Sequence, residues 1–463
     1  MKGARERLFD RLSTELAAGG LRRDEATRKA HAGDKWFAAQ VPEAVAFPRN
    51  TAEVSKILRF ATRHGIPVTP RGAGHGYVGG CVPNRGGLVL ALDHLKRIKE
   101  ISRADFVAIV EPGVRTLDLQ EAADRLGLFY PPDPASRADC SLGGNIATNA
   151  GGPRCLKYGV TRDYVLGLEV VLPDGTVTRL GSRTHKNKTG FELARLFVGS
   201  EGLLGVVTEA TLKLLPRPPW RAAVAVGLGS MRDAARMLRE IFAAGFLPCA
   251  LEIADRFTLA AARKRTGDDR LAGCGAVVIT ELDGHEASVR GELKALSRIL
   301  DASKPRFVQQ ALGAEATENL WKLRREFSYA LRDTGLTKMN EDVVVPRGRL
   351  EALFRLGARI QKRHKLPVAC FGHAGDGNIH VNIMVDESAP GIAARRDAAL
   401  DELFEGVLAL DGVITGEHGV GLAKKRWWPQ AIPPEVRQLH ARIKTALDPR
   451  GILNPGKFVG SAP

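Results

Sequence analysis

"RGAGHGYVGG", residues 71–80, poses the question on which the fold turns. Gly74, Gly76 and Gly79 satisfy G-x-G-x-x-G, and a strand-like segment precedes them. The dinucleotide fingerprint also requires a helix to start there, aiming its N-terminus at a pyrophosphate. The chain instead continues "GCVPNRGG", residues 80–87, where Pro83 and Gly86-Gly87 prevent a helix. The NAD reading fails. Successive glycines without a helix still expose backbone N–H groups as an anion-binding nest, and Arg71 adds a charge. Read by itself, the segment is explained slightly better as a Gly-rich hairpin loop without a ligand.

The flanks are ordinary. "PRNTAEVSKILRFATRHGIPVTPRG", residues 48–72, reads as helix then strand. Asn50 and Glu53 make a capping box, Val54, Ile57, Leu58 and Ala61 an apolar stripe, and Gly65 a stop. Short strands ("GGLVLAL", "FVAIVEPG") and a helix ("TLDLQEAADRLG") follow, then a second Gly/Asn-rich loop, "PPDPASRADCSLGGNIATNAGG", residues 131–152. "LGLEVVLPDGTVTRLG" is a hairpin turned at Pro173-Asp174-Gly175. A Pro-rich boundary falls near residue 217. Beyond it, strand–helix–strand units repeat: "RAAVAVGL", a helix near 231–244 and "CALEIAD", then "GAVVITEL", "EASVRGELKALSRIL" and "PRFVQQA". The second half is read as α+β, helices on an antiparallel sheet.

The chain of 463 residues is too long for one core, and 44% hydrophobic with 26% charged residues is the composition of a globular protein. A net charge of +16 favours anions. No Lys/Arg block alternates with aromatics and no nucleic-acid module appears, so small acidic molecules rank first. Cys81, Cys140, Cys155, Cys249, Cys274 and Cys370 show no C-x-x-C spacing, which suggests reduced thiols in a cytoplasmic protein and excludes the usual iron–sulfur run. No apolar run is long enough for a membrane span. The first twenty residues lack a signal-peptide h-region and read as a short amphipathic helix.

"FGHAGDGNIHVN", residues 371–382, combines a turn at Gly375-Asp376-Gly377 with a strand. Ile379, Val381 and Ile383 fall on one face, His380 and Asn382 on the other. From the spacing alone, His373 capping the turn and His380 hydrogen-bonded in the sheet is the simpler account.

Seven segments together carry a resemblance. "PRGAGHGYVGGCVP", "PPDPASRADCSLGGNIATNAGG", "KYGVTRDYVLGLEVVLPDG" and "LFVGSEGLLGVVTEATLKLLP" have the order and spacing of the FAD domain of vanillyl-alcohol-oxidase type (PCMH-type) flavoproteins. "FGHAGDGNIHVN", "TGEHGVG" and "LDPRGILNPGK" resemble the branch containing D-lactate dehydrogenase, the glycolate oxidase flavin subunit and D-2-hydroxyglutarate dehydrogenase. The resemblance spans nearly the whole chain. It implies an N-terminal helical segment (1–40), a two-subdomain FAD-binding domain (41–217), an α+β substrate or cap domain with an antiparallel sheet (218–425), and a tail returning to FAD (426–463).

The resemblance also implies site residues. Pro70, Arg71, Gly72, Ala73, Gly74, His75 and Gly76, with Gly79 and Gly80, would wrap the FAD pyrophosphate. Pro132, Asp133, Ser136, Cys140, Ser141, Gly143, Gly144, Asn145, Thr148, Asn149 and Gly152 would line the flavin and ribityl chain. Gly202, Gly205, Val206 and Val207 would meet the isoalloxazine or adenine end, with Asn454 reaching back from the tail. Small residues suit a long flat cofactor that needs close backbone approach. His373, His380 and Glu417 would hold one divalent metal (zinc, manganese or iron), a mixed imidazole–carboxylate set that such ions accept.

His418 would be the base, Asn382 a hydrogen-bond partner of substrate oxygen, and Arg324 the carboxylate fork, with Ser328 and Lys338 nearby. Dicarboxylate-specific relatives often carry threonine where Ser328 stands, which favours a D-lactate-like substrate over 2-hydroxyglutarate. His75 stands four residues after Arg71, as does the flavin-bonded histidine of berberine-bridge-like relatives; it either packs on the cofactor or bonds to it. The implied protein is a cytoplasmic or membrane-peripheral dehydrogenase, a candidate homodimer, that passes electrons to a quinone, cytochrome, flavoprotein or iron–sulfur subunit. Alternatives are an alkyl-dihydroxyacetonephosphate-synthase-like transferase, the flavin subunit of a multi-subunit glycolate oxidase, and a non-enzymatic FAD-binding subunit.

Overall fold

The computed structural model describes residues 2–460 as a mixed helix–strand chain in two compact units. Unit 1 comprises residues 1–151, 160–217 and 417–463; unit 2 comprises 152–159 and 218–416.

Unit 1 contains two principal sheets. In the four-stranded one, Val68–Arg71 and Ala44–Ala46 flank Leu88–Ala91 in parallel, and Leu21–Arg22 closes one edge. The helix Thr51–His64 packs here through Val54, Ile57, Leu58 and Ala61, all buried, alongside Phe9 and Leu12 of the helix Lys2–Glu15. Asn50 caps it by accepting from Glu53 N–H at 2.9 Å, and Gly65 ends it in the left-handed region. The reciprocal arm of the capping box differs from expectation, because the Glu53 carboxylate takes Arg49 N–H instead of the cap residue's own. The five-stranded sheet is antiparallel, and its Val165–Val171/Val177–Gly181 hairpin turns where expected. One expectation fails locally. The second Gly/Asn-rich "loop" contains a helix, Leu142–Thr148, because Ser141 caps Gly144 N–H and Asn149 supplies the left-handed stop.

In unit 2 the elements are numbered from its start: β1 (Trp220–Leu228), α1 (Met231–Ala243), β2 (Ala250–Asp255), α2 (Arg256–Thr266), β3 (Ala276–Gly284), α3 (Glu286–Ala302), β4 (Phe307–Leu312), α4 (Gly313–Arg332), β5 (Thr337–Val344), α5 (Leu350–His364), β6 (Val368–His373), β7 (Asn378–Val385) and α6 (Ile392–Leu408). All seven strands form one antiparallel sheet in the order β4-β1-β3-β2-β6-β7-β5. The first four strands and the helices α1 and α3 make a split β-α-β pair, with α2 inserted between β2 and β3. Helices α2 and α4 cover one face, burying Leu259, Ala262, Phe327 and Leu331 against Ala254, Ala369, Phe371 and Met384.

Strand β7 is buried along its whole length, so the face carrying His380 and Asn382 is covered rather than solvated. The β6–β7 turn forms where Gly375-Asp376-Gly377 predicts it, with Asp376 Oδ1 accepting Asn378 N–H at 3.2 Å. Gly377 has φ +87°, and a Cβ there would lie 2.1 Å from the Val345 carbonyl oxygen. Gly377→Ala should therefore destabilise the protein by roughly 1–3 kcal/mol, more than Gly335→Ala at φ +78° in open space. Denaturant midpoints check this; equal losses at the two sites would show that the turn relaxes around a methyl group.

Candidate functional site

Register places the chemistry-bearing residues of unit 2 on one sheet face. Lys338, Asn340 and Asp342 of β5 stand opposite Met384, Asn382 and His380 of β7; Phe371 of β6 pairs with His380, and His373 pairs with Glu252 of β2. Residues directly opposite in an antiparallel pair share a face. Along β6, Ala369 and Phe371 belong to the apolar core under α4, and His373 is the next residue on that side.

The two histidines come together as expected. Their rings are 5.5 Å apart and nearly perpendicular, with ligand nitrogens within 4.8 Å. Both are buried. His373 Nδ1 meets Glu252 Oε1 at 2.6 Å. Against a wholly buried carboxylate this nitrogen carries the proton, and in a neutral ring Nε2 is then the electron-pair donor. Two imidazoles so placed fit a zinc-class cation. Glu417 is the residue joined to Gly416, where the chain leaves this unit. Gly416 is fixed by donating its N–H to Asp342 Oδ2 at 2.9 Å, and Thr415 Oγ1 reaches the same oxygen at 2.8 Å.

The cationic set also assembles. Arg324 is buried on α4, its Nε–H donating to Glu252 Oε2 and its guanidinium lying 4.9 Å from the Phe371 ring centroid. Among the described residues no acceptor takes its terminal nitrogens. Ser328, one turn on, accepts from Lys338 Nζ at 2.8 Å. No described carboxylate pairs with Lys338, and burial, then the charges of Arg332 and Arg324, lower its pKa to about 8. Asn382 is fully buried; its Nδ2 donates to the Ala369 and His380 carbonyls, and its Oδ1 has no partner. A buried acceptor without a partner can take a donor from a ligand.

Glu252 escaped the sequence reading. Its signal was an acid inside the otherwise apolar strand "CALEIAD". Burial alone pushes its carboxyl up, but Arg324 and His373 outweigh burial and hold it down at about 2. Asp342 and Asn378 were missed too: Asn378 Nδ2 donates to Asp342 Oδ1 at 2.7 Å, completing the clamp on Gly416.

In unit 1 the glycines serve loop-to-loop approach. A Cβ on Gly72 would meet Ser141 Oγ at 2.5 Å, one on Gly143 would meet Pro112, and one on Gly202 would meet Pro70. Ser141 Oγ accepts Ala73 N–H at 3.2 Å, joining segment 71–80 to the helix that Ser141 caps. The Arg71 guanidinium tucks beneath its own loop, donating to the Gly33 carbonyl and Cys81 Sγ, against the bare Cα of Gly74. Cys140 and Asn145 turn inward to Thr116 Oγ1, and Asn149 Oδ1 accepts Arg162 N–H. Pro132, Asp133 and Ser136 lie on the loop before this helix; Thr148 donates to the Gly144 carbonyl. Gly205, Val206 and Val207 stand at the start of a strand of the five-stranded sheet, and Gly152 falls in unit 2.

Asn454 Nδ2 donates to the Gly80 and Glu201 carbonyls, while its buried Oδ1 and the buried Nδ1 of His75 have no partner. Orphaned polar atoms amid bare glycine backbone fit a polar cofactor. His418 stacks 5.3 Å from Tyr77. Its loop is held by Glu201, whose carboxylate accepts Val420 N–H at 2.7 Å and Gly421 N–H at 2.8 Å. A Cβ on Gly419 would approach that carboxylate to 2.8 Å, which accounts for the glycine.

Comparison with known proteins agrees with this geometry. Residues 217–458 match the family described as FAD linked oxidases, C-terminal domain, and residues 42–181 match the FAD binding domain. The glycolate oxidase subunit GlcD of Bacillus subtilis is 40% identical over 90% of this chain and 89% of its own. The corresponding Escherichia coli subunit is 36% identical over 90% and 84%, and the D-lactate dehydrogenase of Anaerostipes hadrus 32% over 90% and 89%. The structure of p-cresol methylhydroxylase superposes with a TM-score of 0.82 at 18% identity, covering 100% of this chain and 98% of that one, a likeness of fold. The chain belongs to the FAD-linked oxidases. It is an FAD-dependent oxidoreductase with a PCMH-type FAD-binding domain.

Glu201 has a measurable signature. Burial raises its carboxyl from an ordinary 4.5 to about 7, against the opposing pull of the Val420 and Gly421 amides. A folded value above the unfolded one means that its contribution to stability is full below about pH 4.5 and is lost as pH rises through about 7. Glu201→Gln, neutral throughout, should therefore gain in Tm relative to wild type as pH rises from about 5 to about 8. A Tm difference independent of pH would mean that this carboxyl titrates normally.

Proposed function

We propose that the protein oxidises a small D-2-hydroxy acid, D-lactate or glycolate before D-2-hydroxyglutarate, to the 2-oxo acid. The observation that carries this reading is the shared sheet face in unit 2: an imidazole pair beside a cationic group, with a buried unpartnered amide oxygen on the same strand. The likeness to proteins called glycolate oxidase subunit and D-lactate dehydrogenase points the same way.

Each residue has a task set by its chemistry. Arg324, its Nε held by Glu252 and its guanidinium over the Phe371 ring, offers its terminal nitrogens to the substrate carboxylate. Lys338, oriented by Ser328, supplies the positive charge that no described acid neutralises. Asn382, on the same strand face as His380, contacts the substrate and fixes its hand. His373 and His380, with Glu417 one peptide beyond the clamped Gly416, would hold a divalent cation; such an ion lowers the pKa of a neighbouring hydroxyl. His418 receives the hydroxyl proton, a role suited to imidazole near neutral pH. FAD supplies the acceptor for the α-hydride. Because each turnover leaves two electrons on the cofactor, a separate acceptor, such as a quinone, cytochrome, flavoprotein or iron–sulfur subunit, must collect them. No described helix is long and apolar enough to cross a membrane.

Anaerobic mixing tests the reading. D-lactate or glycolate should bleach the flavin's visible absorbance, whereas L-lactate should not. His418→Asn should retain metal and FAD yet slow bleaching by about 10²–10⁴-fold. Bleaching of the variant at the wild-type rate would remove His418 from the mechanism, and no bleaching by any 2-hydroxy acid would remove the substrate class.

His75 bears on how FAD is attached. Burial, then Lys35, lowers its pKa and so favours the neutral imidazole, whose buried Nδ1 has no partner. We expect it to contact the cofactor without bonding to it. Acid precipitation should release all the flavin to the supernatant; a yellow pellet that is lost in His75→Ala would establish a covalent bond instead.

A further inference from the structure

Glu252 lies in the middle of β2 with no exposure to solvent. Its two oxygens answer to different groups. His373 Nδ1–H donates to Oε1 at 2.6 Å, and Arg324 Nε–H donates to Oε2. A buried carboxylate has no water to share its charge, so these partners divide it between them. Both partners are held in place: His373 is in register with Glu252 across the β2–β6 pair, and the Arg324 guanidinium lies over the Phe371 ring.

We propose that Glu252 is a positioning residue that couples cation binding at His373 to anion binding at Arg324 through one carboxylate shared between them. The proposal rests on the reading of the site given above. A cation facing His373 Nε2 makes the Nδ1–H more acidic, strengthens its bond to Oε1 and draws carboxylate charge toward that oxygen. Oε2 then offsets less of the guanidinium's charge. The terminal nitrogens of Arg324, which no described residue accepts, present a stronger field to a ligand carboxylate. In the reverse direction, an anion on Arg324 leaves more of Glu252 for His373 and tightens the cation. Linkage makes the two effects equal. The site therefore favours joint occupancy over either ligand by itself.

The probes are Zn²⁺ and propionate, a monocarboxylate without a hydroxyl, used with the FAD-loaded protein. Zn²⁺ affinity is read by chelator competition, and propionate affinity by perturbation of the flavin spectrum. In the wild type, Zn²⁺ should lower the Kd for propionate about five-fold or more. Glu252→Gln should weaken Zn²⁺ about 10–100-fold and make the propionate Kd the same with and without Zn²⁺. Propionate that simply ligates the metal would keep its Zn²⁺ dependence in Glu252→Gln, and that result overturns the proposal. So does a wild-type propionate Kd indifferent to Zn²⁺.

Arg324→Met provides a second variant. With the guanidinium gone, the whole carboxylate charge falls to His373, so Zn²⁺ affinity measured without any anion should rise. A fall or no change overturns the proposal. Wild-type protein that takes up no Zn²⁺ is a different result, which defeats the metal reading itself and the coupling with it.

Discussion

A carboxylate with no route to water has to be answered by groups that hold still, and Glu252 is answered by an imidazole from β6 and a guanidinium from α4. That constraint organises the site in unit 2. It orients the His373 ring through Nδ1. It pins Arg324 over Phe371, which sets α4 at the height where Ser328, one turn later, meets Lys338 from β5. The apolar part of the same face, Ala369, Phe371 and Met384 under Phe327, supplies the rigid and dry surroundings that make the ion contacts strong.

Buried acids recur at each point where the chain needs fixing near this chemistry, and their charge states follow from what answers them. Glu252 is met by cations and stays ionised down to about 2. Glu201 is met chiefly by backbone amides, and burial carries its carboxyl up to about 7. Asp342 clamps Thr415 and Gly416 in unit 2, whereas Glu201 clamps Val420 and Gly421 in unit 1. Glu417, His418 and Gly419 are the residues between the two clamps. The glycines of "TGEHGVG" are thus explained within the protein itself: side chains at 416 and 419 would strike Asn378 and Glu201.

The same economy tempers how the Gly-rich segments are understood. Gly72, Gly143 and Gly202 are needed first for loops to touch one another, and the Arg71 guanidinium folds under its own loop. The buried Nδ1 of His75 and Oδ1 of Asn454 have no partner within these segments.

Local physics was legible in the sequence. The stripe of the helix Thr51–His64, its Asn50 cap and Gly65 stop, the Asp174-Gly175 hairpin and the alternation in β7 all act over a few residues, so a linear reading captures them. The helix Leu142–Thr148 was hidden, because its glycines and asparagines argue for a loop until Ser141 is seen to cap it. Family motifs marked His373, His380, Arg324 and Asn382, and the fold gathers them on one face. Glu252, Glu201 and Asp342 carried no such mark. Glu252 lies 72 residues from Arg324 and 121 from His373, and a pairing at that separation leaves no trace in local composition. Only the sheet register, which sets which side chains share a face, decides that one buried carboxylate serves both.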